Sequence, residues 1–128
     1  MLETGIKGMC ELLVDESNSA KTMGSGTLDV LATPAMSALM EKTAWTSVQP
    51  HLDEGCGTVG TLLNVTHDAP KPLGMTVHCE SELIEIKGRK LVFSITAYDK
   101  DGKIGGGIHE RFIIQNEKFQ SKANSKAK

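Results

Sequence analysis

Three residues carry groups that acyl-transfer chemistry uses: a hydroxyl at Thr33, a carboxylate at Glu41 and an imidazole at His67. Such a set can supply a nucleophile or a positioned hydrogen bond, an acid or water activator, and a general base. Eight positions separate Thr33 from Glu41. In one helix that is about 12 Å of rise, so the two must reach a common cleft from different heights. Each residue also has a structural reading. Thr33 before Pro34 fits an N-cap, and a helix start there would also concentrate positive partial charge where an oxyanion could be held. Glu41 beside Lys42 fits a solvent-facing helix position. His67 fits a core histidine whose ring is satisfied by backbone groups.

Other residues offer weaker signals. Gly60-Thr61 precedes His67 on the same run, where a glycine marks either a bulge or a close approach of backbone to ligand. Gly105-Gly106-Gly107 gives up side-chain packing in a strand and so admits another backbone or a ligand. Arg111 and His109 share one face of that strand and Glu110 takes the other. The arginine could clamp a phosphate, but a structural ion pair with an acid is the more ordinary use. Lys87, Arg89 and Lys90 at a turn could meet a phosphate or simply be solvated. No histidine pair shows metal-ligand spacing, and no metal is expected.

The elements that must position these groups follow from periodicity. Met9–Val14 reads as a first strand. Asp15–Asp29 is a long polar connection, of a length that points to a binding loop, a lid or a partly helical segment. Thr33 to His51 reads as one long helix, with Met36, Leu39, Met40, Ala44, Trp45, Val48 and Leu52 as its apolar surface and Gly55 as a breaker. Thr58–Asp68 alternates as a strand and places Val59, Thr61, Leu63, Val65 and His67 on one face. Asp68-Ala69-Pro70-Lys71-Pro72 ends it, because two prolines cannot donate to a ladder. Three further strands, Met75–Ile86, Lys90–Tyr98 and Ile104–Gln115, form a meander through turns at Lys87-Gly88-Arg89 and Asp99–Gly102. The tail from Asn116 reads as polar and frayed. One apolar helix and one sheet with an apolar face satisfy each other when the sheet wraps the helix, an α+β arrangement.

The totals narrow the function classes. At 128 residues the chain is expected to form a single domain, 1–128, with the tail from about 116 outside its core. A net charge of −2 and an aromatic content of 4% argue against a nucleic-acid partner. Cys10, Cys56 and Cys79 are odd in number and far apart, which fits a reducing cytoplasm better than a disulfide framework. The sequence offers no membrane-length apolar run, so no membrane is expected as a partner.

Read together, Leu31–Met36 with Met40-Glu41, His51–Gly55, Val59-Gly60-Thr61, Asn64–His67 and His109-Glu110-Arg111-Phe112 resemble the fluoroacetyl-CoA thioesterase-like family of hot-dog proteins. The resemblance runs in order over nearly the whole chain. It implies a hot-dog fold, a homodimer joined sheet edge to sheet edge, and a site of Thr33, Glu41 and His67 with Gly60, Thr61 and Arg111 on the substrate. It also implies an acyl-CoA or other acyl thioester as substrate and no cofactor. Where the fluoroacetyl-specific member carries aromatic residues before the helix, this chain has Gly24, Ser25, Gly26 and Thr27, which points away from fluoroacetyl selectivity. Two rival readings use the same scaffold: a non-catalytic acyl-CoA or small-ligand binder, and a hydratase that would need Asp68 beside His67.

Overall fold

The computed structural model describes residues 2–127. Its strands are β1 (Lys7–Leu13), β2 (Cys56–His67), β3 (Thr76–Lys87), β4 (Lys90–Asp99) and β5 (Gly102–Gln115). They form one antiparallel sheet in the order β1-β3-β4-β5-β2. The helices are α1 (Ala20–Met23), α2 (Thr33–Val48, continued by a 3₁₀ turn at Gln49–His51) and α3 (Asn116–Asn124). The sheet curls around α2, which is the hot-dog arrangement expected from the sequence.

The core lies between α2 and the inner face of the sheet. From the helix come Met36, Leu39, Met40, Ala44 and Val48, and from β4 the alternating Leu91, Phe93, Ile95 and Ala97, all essentially without solvent contact. Trp45 departs from the expected buried apolar surface and is 40% exposed. The β3–β4 connection is a two-residue turn at Gly88-Arg89, with Gly88 in the left-handed region that such hairpins require. At the β4–β5 turn the Asp99 side chain accepts from the N–H groups of Asp101 and Gly102.

The long connection takes one of the forms expected of it, and two other expectations are corrected. The long connection is partly helical: Asp15 caps a 3₁₀ turn at Glu16–Asn18, and Ser19 caps α1. The tail is not frayed, since Asn116–Asn124 forms the exposed helix α3, its first N–H bonded to the Gly55 carbonyl. The faces of β2 are not those of uninterrupted alternation. The β2–β5 register shifts between Gly60 and Leu62, leaving Thr61 as the extra residue of a bulge. Gly60 therefore pairs with Arg111 and Leu63 with His109, so Gly60 faces inward before the bulge while Leu63, Val65 and His67 face inward after it.

The glycine run in β5 admits backbone. A Cβ on Gly105 would collide with the Thr66 carbonyl oxygen, one on Gly107 with that of Asn64, and one on Gly106 would come within 2.8 Å of the Ile95 oxygen. The run lets β2 and β4 press against β5 where β2 delivers His67. The segment after His67 is fixed at several points. Asp68 N–H donates to Ile104, Lys71 accepts from Leu31 N–H, and the Lys71 ammonium pairs with Asp99. Among the described residues no helix is long and apolar enough to cross a membrane, and the three cysteines are free.

Candidate active site

The N-cap of α2 is the backbone of Ala32, in extended conformation, which makes Thr33 the first helical residue and puts Pro34 in the first turn. The expected N-cap role of Thr33 is thereby corrected: no side chain caps this helix, and the Thr33 hydroxyl is free for another partner. Its Oγ1 lies 2.8 Å from Nδ1 of His67. Burial lowers the His67 pKa below the ordinary 6.5, against the opposing influence of the Ala69 backbone and the Asp68 carboxylate. A neutral ring can accept the Thr33 proton at Nδ1, which leaves the hydrogen on Nε2. Nε2 is buried and without a hydrogen-bond partner among the described residues. A cavity of about 270 Å³ opens beside the pair, with Leu31 and Pro70 among its walls.

Glu41 belongs to a second cluster, one-third of the way along β2. Arg111, 6% exposed, donates from Nε to the Thr58 hydroxyl at 2.7 Å and from Nη2 to the Thr58 carbonyl at 2.9 Å. Its Nη1 donates to Nε2 of His109 at 3.1 Å and lies 3.7 Å from a Glu41 carboxylate oxygen. His109 has no exposure and donates from Nδ1 to the Leu62 carbonyl at 2.8 Å. Burial first, and the Arg111 charge next, lower its pKa below 6.5. Gly60 leaves the space between these groups open: a Cβ there would stand 2.8 Å from Glu41 Oε2 and 3.3 Å from Arg111 Nη1.

The structure thus joins Thr33 to His67, and Glu41 to Arg111 and Gly60, but gives Glu41 no contact with the other two. The Glu41 side chain is 44% exposed and turned toward the β2 edge rather than held among methionines. Arg111 makes the intrachain ion pair that its setting favoured. Thr61, at the bulge, donates to the Glu110 carbonyl at 3.3 Å and joins neither cluster. Sequence reasoning passed over His109 and Thr58 as site residues. The signal for His109 was its spacing of two from Arg111, which puts both side chains on one face of β5. Among the described residues no group of three His, Cys, Asp or Glu is placed to hold a metal.

A curled sheet around one helix, with a hydroxyl–imidazole pair where the helix begins, places the chain in the hot-dog class. A hot-dog-like protein from Thermanaerovibrio acidaminovorans shares that fold at 22% identity, with a TM-score of 0.88 over 98% of this chain and 93% of the other. The family model for the fluoroacetyl-CoA-specific thioesterase matches residues 14–117, and the chain belongs to that family. The fluoroacetyl-CoA thioesterase of Streptantibioticus cattleyicolor is 41% identical over 98 residues, 77% of this chain and 70% of the relative. The solved structure of the fluoroacetyl-CoA thioesterase FlK superposes with a TM-score of 0.92 at 32% identity, covering 98% of each chain. A threonine-to-serine variant of FlK has been solved with acetyl-CoA, at 31% identity and a TM-score of 0.93 over 99% of this chain and all of the other.

Proposed function

We propose that this chain hydrolyses acyl-CoA thioesters to a carboxylate and free CoA. The observation that carries the reading is the 2.8 Å approach of the Thr33 hydroxyl to His67 Nδ1, with the ring kept neutral by burial and a cavity beside it. Family membership and the acyl-CoA complex of a relative support it.

In this mechanism His67 accepts the Thr33 proton while the threonine oxygen attacks the thioester carbonyl. Collapse of the tetrahedral adduct breaks the C–S bond, and the imidazolium gives its proton to the departing thiolate. Water, deprotonated by the same imidazole, then cleaves the acyl-threonine ester and returns the hydroxyl. In the second cluster Glu41 orients water, Arg111 and Gly60 line the path of the substrate, and Thr61 shapes that region through the bulge. The chain acts as a homodimer joined along β2.

Release of free thiol from a panel of acyl-CoAs tests this. Thr33→Ala and His67→Ala should each lower kcat/KM by about a hundred- to ten-thousand-fold, the usual worth of positioned acid–base help. Glu41→Gln should lower it as well. A wild-type chain that binds CoA but releases no thiol would establish the binding-protein reading instead. Full activity in all three variants would place the chemistry elsewhere.

A further inference from the structure

The wall that faces the Thr33–His67 pair is built without an aromatic ring. The first aromatic residue in the chain is Trp45. The turn rimming the cavity contributes Ala20 and Ser25, and Val30, Ala69 and Pro70 complete the apolar side. The turn stays short because Gly24 adopts the left-handed conformation, φ 77°, and the N–H groups of Ser25 and Gly26 both reach back to the Ala20 carbonyl. A small side chain therefore stands where this turn meets the site.

The space left is larger than a two-carbon acyl group needs. A volume of about 270 Å³ is many times what a single water-sized position needs, roughly 10–15 Å³, and so leaves room for several methylenes beside the thioester. Its polar content is low away from the reacting pair. Apart from the reacting pair, the polar side chains of the rim are Ser25 and Asp68, whose carboxylate accepts from the Thr66 hydroxyl at 2.9 Å.

We infer that the site takes aliphatic acyl groups of about four to eight carbons in preference to two-carbon ones, with Ser25 setting the size limit. The inference deepens the thioesterase reading and rests on it for turnover, though not for binding. Each methylene buried in an apolar pocket is worth about a fourfold gain, so the four extra methylenes of hexanoyl-CoA should raise kcat/KM over that of acetyl-CoA by about 250-fold.

The experiment measures free-thiol release from acetyl-, fluoroacetyl-, butyryl-, hexanoyl- and octanoyl-CoA, for the wild type and for Ser25→Phe and Ser25→Leu. Either variant should cut the hexanoyl-to-acetyl ratio of kcat/KM by about tenfold or more, because the larger side chain fills the wall. Rates that are highest for the two-carbon substrates and fall with each methylene would overturn the inference. So would a ratio unchanged in both variants. Ethyl-CoA and hexyl-CoA thioethers, which cannot be hydrolysed, separate this outcome from failure of the thioesterase reading. Calorimetric titration should find hexyl-CoA bound more tightly than ethyl-CoA even if no thioester is turned over, whereas equal affinities overturn the inference whatever the turnover.

Discussion

Burial acts on two imidazoles in this chain, and each answers it differently. His109 is enclosed on all sides, and both its nitrogens are matched, one to the Leu62 carbonyl and the other to Arg111. His67 is matched at Nδ1 by the Thr33 hydroxyl and left unmatched at Nε2. The first arrangement is a structural support and the second leaves a base with a proton to exchange. The sequence already placed His67 on a core-facing strand position, but it did not separate these two uses, since they depend on partners supplied by α2 and β5. Both rings have a pKa below the ordinary 6.5 of an unfolded histidine. As pH falls through that value the unfolded chain takes up protons first, so the folded state loses stability until its own lower values are reached. Urea unfolding between pH 7.5 and pH 5.5 should accordingly show a midpoint that falls as the medium is acidified. His109→Gln, which removes one titrating ring, should flatten the slope. A midpoint independent of pH over this window would mean that neither ring is held neutral by folding.

The bulge and the glycine run are what bring the two clusters to one side of the sheet. Were Thr61 regularly paired rather than bulged, strict alternation over the seven steps between them would send Gly60 and His67 to opposite faces, and no periodicity count reveals where a strand bulges. The helix, the meander and both turns were legible because apolar spacing and turn residues specify them locally. The fate of the tail was not, because a polar segment of nine residues becomes helical here through its junction with the end of β5 and the Gly55 carbonyl. The Gly105–Gly107 run was legible as a site of close approach but not as to what approaches. The occupant is the β2 and β4 backbone, so Gly105→Ala should wedge β2 away from β5. A loss of about 3 kcal/mol, the upper end of overpacking costs, is expected in denaturant unfolding. Thiol release should fall with it, because the same displacement carries His67 away from Thr33. An alanine variant of wild-type stability would show that the strands have room the glycine does not supply.

At the scale of the molecule, β2 is the edge of the sheet and is made unlike an edge that water should cover. Solitary edges are commonly protected by lysine, proline or inward charge. The twelve residues Cys56–His67 contain none of Asp, Glu, Lys, Arg or Pro, while the opposite edge, β1, carries Lys7 and Glu11. On β2 itself Leu62 is 44% exposed, and Glu41 reaches the same strand at Gly60. A second copy pairing antiparallel along β2 would satisfy the open ladder and cover these side chains. One two-fold axis through the middle of the strand generates that contact and closes it. Such an axis near the bulge brings the two copies of position 62 close together, so Leu62→Lys sets like charges against each other across the junction. Sedimentation equilibrium should give twice the 13.7 kDa chain mass for the wild type and a shift toward the single mass for the variant. Activity should fall in step with dissociation, since Glu41 and Gly60 lie on the border that a second copy would shield from water. A wild type that sediments as a single chain while turning over acyl-CoA would mean that one protomer closes its own site, and that the uncharged edge has another cover.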